Sequence, residues 1–155
     1  MKNIYKLIAS ILISQAAGII GSLFTMQSIP TWYSTLNKPS FSPPNYLFGP
    51  VWITLYLMIG ISFFLVWRSW DSFNIKIPAI VFSIQMALNA LWSIIFFGMR
   101  NPMLAFFEII LLWIFIILCV MTFYSVSRTA SWLLVPYLLW VSFASVLNFK
   151  IWMLN

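Results

Sequence analysis

The chain alternates long apolar stretches with short polar breaks. An α-helix rises about 1.5 Å per residue, so crossing a hydrocarbon layer about 30 Å thick takes roughly 20 mostly apolar residues. Five stretches are long enough: Ile4 to Met26, Phe48 to Trp67, Ile77 to Met99, Met103 to Tyr124 and Ser131 to Leu154. The breaks carry helix-ending residues. Pro30, Pro39, Pro43 and Pro44 fall in the first, Arg68 to Pro78 form the second, Arg100-Asn101-Pro102 the third and Ser125 to Ala130 the fourth. The last two are so short that the third, fourth and fifth helices must be antiparallel neighbours. The expected fold is an all-α integral membrane protein: one domain over residues 1–155, built as a five-helix transmembrane bundle. Lys2, Lys6 and the Ser14-Gln15-Ala16 triplet resemble a cleaved signal. The apolar run continues through Ile19, Ile20, Leu23 and Phe24, past the roughly 7–15 residues of a signal core, so it reads as a true span.

Positions three, four and seven apart share a helix face. In the third span Gln85, Asn89, Trp92 and Phe96 form one stripe, and Ala79, Ser83, Ala87 and Ala90 the roughly opposite one. Amides at membrane depth point into a bundle, and small residues at such spacing mark close helix contact. The amide face either lines a cavity or simply bonds to neighbouring helices; the spacing alone leaves both open. The first span has its own small ladder of Ser10, Ser14, Gly18 and Ser22 with Gly21 beside it. A homodimer through the small faces of spans one and three is the corresponding partner hypothesis. In the fifth span Pro136, Tyr137, Trp140, Ala144, Leu147 and Asn148 run along one side, a large ring beside a small residue at mid-membrane.

Composition sharpens the membrane reading and narrows the chemistry. Of the residues 63% are hydrophobic, 19% aromatic and 6% charged, where soluble domains are about 25% charged. There is no histidine and one cysteine, Cys119. That removes histidine acid–base catalysis, histidine-ligated metal and an intrachain disulfide, and no metal site or cofactor is expected. The net charge of +6 comes from basic residues scattered over the breaks, which suits membrane flanks and not nucleic acid. Lys2, Lys6, Arg68, Lys76 and Arg128 fall on the N-terminal side, against Lys38, Arg100 and Lys150 on the other. This bias puts the N-terminus inside. Trp32, Tyr33, Trp67, Trp70, Tyr124, Trp132 and Trp152 lie near span ends, where amphipathic rings prefer to sit. Trp92, Trp113 and Trp140 lie well inside. Of the two acids, Asp71 sits in a break, while Glu108 lies over a turn inside the fourth span. It is expected either to be functional or, the favoured alternative, to snorkel or pair with Arg100.

Residues 27 to 47 make an unusually long connection, QSIPTWYSTLNKPSFSPPNYL, with four prolines to stiffen it and Trp32, Tyr33, Leu36, Phe41, Tyr46 and Leu47 to anchor it. The expectation is an ordered cap over the mouth of the bundle.

Three separated motifs then carry a specific resemblance. Trp32-Tyr33-x-x-Leu36-x-Lys38-Pro39-Ser40-Phe41-x-Pro43-Pro44 leads into Phe48-x-Pro50-Val51-Trp52-x-x-Leu55-Tyr56. The third span adds Gln85-x-x-Leu88-Asn89-x-x-Trp92-Ser93-x-x-Phe96-Phe97, and the fifth Pro136-Tyr137-Leu138-x-Trp140-x-x-Phe143-Ala144-x-x-Leu147-Asn148. Together they resemble the translocator protein family, whose bacterial members are called tryptophan-rich sensory proteins, along essentially the whole chain. The resemblance implies a bacterial cell-membrane protein with a cavity beneath the first loop. It also implies binding of porphyrins, notably protoporphyrin IX, and of isoquinoline carboxamide and benzodiazepine ligands. Carried over by position, the ligand-binding residues are Tyr33, Pro43, Trp52, Asn89, Trp92, Trp140, Phe143, Ala144 and Leu147. The roles the resemblance suggests are tetrapyrrole sensing, transport or disposal. An alternative is an enzyme that degrades protoporphyrin in light and oxygen, with Trp52 and Trp140 as its catalytic pair; a third is a structural or partner-binding subunit without ligand. The sterol pattern of the family wants Leu or Val, then Tyr, then Lys or Arg with spacers. Here Leu147-Asn148-Phe149-Lys150 has Phe for Tyr and no spacer, which counts against sterol binding. Without histidine, a bound tetrapyrrole would be metal-free or weakly ligated.

Overall fold

The computed structural model describes residues 2–155, and every regular element among them is helical. Helix α1 covers Lys2–Ser28 and runs on through a wider, π-helical turn, Ile29–Tyr33. Helix α2 is Asn45–Trp67, and α3 is Lys76–Ser93 with a second π turn, Ile94–Gly98. Helix α4 is Pro102–Tyr124, α5 the short Arg128–Leu133, and α6 Val135–Leu154. They make five spans, Asn3–Tyr33, Asn45–Trp67, Lys76–Gly98, Pro102–Tyr124 and Arg128–Leu154, each long and apolar enough to cross a membrane. The protein is a multi-pass membrane protein, as its sequence predicts.

Three boundaries differ from the expected ones by three residues or more: the end of the first span, the start of the second, at Asn45 directly after Pro44 and not at Phe48, and the start of the fifth. Pro30 has no N–H to give an α-helical bond, yet the first helix does not stop there: widening to π geometry carries it to Tyr33. The residues predicted to open the first loop are therefore helical, and the irregular connection shrinks to Leu36–Pro44. The fifth span starts earlier than predicted, because the Ser127 hydroxyl caps α5 by accepting from Ala130 N at 3.3 Å. It is also broken at Leu134. Pro136, at the start of α6, cannot donate to Trp132, and Leu134 N turns to Ser131 O at 3.1 Å instead. Where the chain turns from α3 to α4, Asn101 caps the next helix by accepting from Leu104 N at 2.9 Å, with Pro102 in the first turn.

The helices form a ring in which α1 lies against α2 and α3, α4 against α3 and α6, and α5 bridges α4 and α2. The small ladder of α1 is used inside the chain. Ser10 and Ser14 are fully buried, and a Cβ on Gly60 of α2 would lie 2.8 Å from the Ile11 backbone. That half of the face proposed for a homodimer is therefore not available to a second copy. On α3 the opposite holds: Ser83 and Ala87 of the small stripe are exposed, and the Ser83 hydroxyl turns back to Ala79 O at 2.8 Å.

Beyond its N-terminal half, α1 leans away from α2 toward α3. A Cβ on Gly21 would lie 2.8 Å from the Ser93 hydroxyl, one on Gly98 2.8 Å from the Phe24 ring, and the Ser28 hydroxyl donates to Phe97 O at 2.7 Å. The backbone of α2 stands apart from those of α3 and α6, which it meets through side chains such as Phe63 on Phe82 and Trp52 on Tyr137. The space between these helices is the site.

Candidate ligand cavity

A cavity of about 430 Å³ lies between the C-terminal half of α1, the N-terminal half of α2 and the facing sides of α3 and α6. That is within the usual size for a small-molecule site. Of the nine positions expected to bind ligand, Tyr33, Trp52, Trp92, Trp140, Ala144 and Leu147 line it, whereas Pro43, Asn89 and Phe143 are not among its lining residues. The two indoles named as a catalytic pair, Trp52 and Trp140, thus share one wall space.

Each of the three residues outside the lining has a definite place. Phe143 packs at 5.5 Å from the Trp140 ring and at 6.2 Å from Phe41 of the first loop. Pro43 sits half-buried in that loop. Asn89 lies one layer behind the cavity, and both ends of its amide are engaged. Tyr56 donates its hydroxyl hydrogen to Asn89 Oδ1, and Asn89 Nδ2 donates to the Tyr137 hydroxyl at 2.8 Å. Tyr137 in turn donates to Gln85 Oε1 at 3.1 Å. All four side chains are buried, so the chain of bonds ties α2, α3 and α6 together at membrane depth. Of the two readings of the amide stripe, Gln85 and Asn89 take the interhelical one, while Trp92 and Phe96 take the cavity.

That network orients the aromatic wall. Trp52 stacks on Tyr56 with centroids 5.4 Å apart at 25°, and its ring meets Tyr137 edge-on at 6.3 Å. Across the cavity Trp92 stacks on Phe96 at 5.1 Å, and its Nε1 donates to Asn148 Oδ1 at 3.0 Å. Asn148 Nδ2 donates to Pro102 O at 2.7 Å, anchoring the α6 wall to the start of α4. The third interior indole, Trp113, faces elsewhere and donates to the Ser142 hydroxyl at 2.8 Å.

The fourth wall is α1, which the sequence reading treated as packing surface only. Gln15, Gly18, Gly21, Ser22 and Thr25 all line the cavity. The spacing that suggested helix contact also leaves a wall without bulk, and that was the available signal. The hydroxyls of Ser22 and Thr25 donate to their own helix, at Ile19 O and Gly21 O, so their hydrogens are already used. No charged side chain lines the cavity.

The first loop is held in place from both ends. Lys38 Nζ donates to Tyr33 O at 2.7 Å and Leu36 O at 3.3 Å, and lies 4.7 Å from the Tyr33 ring centre. Asn37 and the C-terminal Asn155 exchange bonds, Asn37 N to Asn155 Oδ1 at 2.9 Å and Asn155 Nδ2 to Asn37 O at 3.0 Å. Glu108 is a correction. It neither snorkels nor pairs with Arg100: it is buried in the bundle, with no partner for either carboxylate oxygen. Among the described residues no group of three metal-ligating side chains comes together.

Five apolar spans, four of them bordering an aromatic cavity with no charged lining, define a polytopic helical membrane protein with an internal cavity of small-molecule size. The comparisons with known proteins agree with that class and narrow it. The TspO/MBR family model matches residues 10–153, and the chain belongs to that family. It is 49% identical to the tryptophan-rich protein TspO of Archaeoglobus fulgidus over 99% of both chains. It is 38% identical to the human translocator protein, over 86% of this chain and 80% of that one. To the tryptophan-rich sensory protein of Cereibacter sphaeroides it is 34% identical, over 80% of this chain and 77% of the other.

Proposed function

We propose that this protein binds flat, lipophilic tetrapyrroles, protoporphyrin IX above all, within the bilayer and serves in their sensing, transport or disposal. The observation that carries the reading is the pair of aromatic walls. Trp52 with Tyr56 and Trp92 with Phe96 line one cavity without charged side chains, and such rings suit a planar macrocycle. The family membership and the names of the relatives, translocator and sensory protein, support a carrier or sensor over an inert subunit. Since no cation lines the cavity, the propionates of a porphyrin would stay at its rim, within reach of water or headgroups. Isoquinoline carboxamides and benzodiazepines, which are flat and uncharged, fit the same walls.

A second reading has one observation in its favour: Trp52 and Trp140, both oxidisable indoles, line the same space as the light-absorbing ligand would. One experiment addresses both. Protoporphyrin IX is titrated into detergent-solubilised protein in the dark and tryptophan quenching is followed; the sample is then illuminated in air and the porphyrin absorbance recorded. Saturable quenching at micromolar porphyrin is expected, and its absence would reject the binding function. Bleaching faster than that of free porphyrin, abolished in the Trp52→Phe, Trp140→Phe double variant, would establish the degrading activity.

A further inference from the structure

Outside the ligand cavity, the most heavily constrained segment runs from Ile94 to Pro102. It contains a π turn, then Met99 N bonded back to Ile94 O at 2.8 Å, then Asn101 N to Ile95 O at 3.3 Å, then the Asn101 cap of α4. At its centre Arg100 has φ of 54°, the one non-glycine residue with positive φ among the described residues. The left-handed conformation closing a helix is the place of glycine, and any Cβ there is strained. An arginine held in such a position has a reason to be looked for in its side chain.

Arg100 lines a second pocket, of about 360 Å³, where Phe24, Gln27 and Ser28 of α1 meet the end of the third span. Its walls are Phe24, Ile94, Phe97 and Met99, with Gln27 and Arg100 supplying the polar rim. The pocket stands where the third span ends at Gly98 and the fourth begins at Pro102, which is headgroup level. Neither acidic side chain of the chain reaches Arg100: the oxygens of Glu108 are unpartnered, and Asp71 lies in the connection at the opposite end of the bundle.

We propose that Arg100 and Gln27 hold the phosphate of an anionic phospholipid, with its glycerol and upper acyl carbons against Phe24, Ile94 and Met99. An arginine fork matches two phosphate oxygens, and the carboxamide adds a third donor. The choice of lipid follows from the charges. A zwitterionic choline headgroup would bring a cation to an end of the bundle that offers it no acidic side chain, whereas a phosphatidylglycerol headgroup brings its phosphate and uncharged hydroxyls. Phe97 lines both pockets, so a lipid seated here would press on the back of the ligand cavity wall.

The test uses the full chain in detergent, as wild type, Arg100→Gln and Arg100→Gly. The probes are phosphatidylglycerol, phosphatidylcholine and inorganic phosphate, read by native mass spectrometry and thermal unfolding. Wild type is expected to retain phosphatidylglycerol about tenfold better than phosphatidylcholine, since both offer Arg100 the same phosphate and only choline brings a second, unpaired cation beside it. Both variants should lose that preference. Arg100→Gly should also unfold at a higher temperature than wild type in lipid-free detergent, because glycine accepts the left-handed backbone, yet gain nothing from phosphatidylglycerol. Arg100→Gln keeps a side chain in the strained position and separates loss of charge from relief of strain. Retention of the preference in either variant would overturn the proposal. So would a shift from inorganic phosphate equal to that from phosphatidylglycerol, which would make the site one for free anions.

Discussion

Tyr56 of α2 donates its hydroxyl hydrogen to the side-chain oxygen of Asn89 in α3, and on this bond rests the orientation of the cavity's main indole, Trp52. The phenol is locked at its far end by the amide and at its face by Trp52. Breaking the lock with Asn89→Leu leaves the buried Tyr56 and Tyr137 hydroxyls short of partners, at a cost of about 1–3 kcal/mol. We expect a lower thermal midpoint in detergent together with weaker porphyrin binding, even though Asn89 does not line the cavity. A variant that lost stability but bound porphyrin with unchanged affinity would show that the lock does not orient Trp52.

The close approach of α1 to the same tyrosine gives a second prediction. A Cβ on Gly18 would lie 2.5 Å from Tyr56 Cε2, whereas one on Gly49 would meet nothing within 4 Å. Gly18→Ala must push the Tyr56 ring, and overpacking of this kind costs about 1–3 kcal/mol. Gly49→Ala lies within a helix, where alanine is the better former by up to about 1 kcal/mol. Thermal unfolding of the two variants should therefore shift in opposite directions.

Ala144 is the small residue beside Trp140 on the α6 wall. Ala144→Trp should fill cavity space with little loss of folding, because the new ring enters a void and not a packed core. Titration calorimetry is expected to show porphyrin affinity reduced by at least about tenfold, equivalent to roughly 1.4 kcal/mol. Unchanged affinity would move the ligand away from this wall.

Glu108 offers the clearest stability test. Its two oxygens are buried without a partner, a condition worth about 1–3 kcal/mol of destabilisation for a polar group. Glu108→Met, similar in length and apolar, should raise the thermal midpoint in detergent. A fall would mean that the carboxyl is satisfied by a bound water or ion.

The loop is expected to respond to a change at the other end of the chain. Asn155→Ala removes the two bonds from Asn155 to Asn37. Amide hydrogen exchange should speed up over residues 36–44 with the spans unaffected, and bound porphyrin should dissociate faster if the loop caps the cavity.

Much of this architecture was legible before any coordinates. A span is a matter of length and apolarity, so five runs of apolar residues could hardly fold otherwise, and the charged and proline-bearing breaks marked their ends to within about three residues, except that the first helix runs past Met26 to Tyr33. The interior place of two indoles was foreseeable as well, because Trp92 and Trp140 sit too deep to serve the interface. Which face of each helix looks inward was much less visible. In water an outward face must be polar, but in lipid both faces are apolar, and in α6 the buried Leu147 lies between the exposed Val146 and the buried Asn148 with no regular alternation to read.

Only the tertiary structure decided how the polar side chains were spent. Asn89 could have faced a ligand or two tyrosines, and a local sequence cannot say which, since Tyr56 and Tyr137 lie 33 and 48 residues away. The small residues of α1 could have packed a helix or bordered a cavity; they do the first at Ser10 and Ser14 and both at Gly18 and Gly21, which meet Tyr56 of α2 and Ser93 of α3 closely at the cavity's edge. Chain composition set the solvent, the spans and the kinds of chemistry open to this protein. Helix tilt, and the long-range bonds that follow from it, set where the cavity lies and which rings face it.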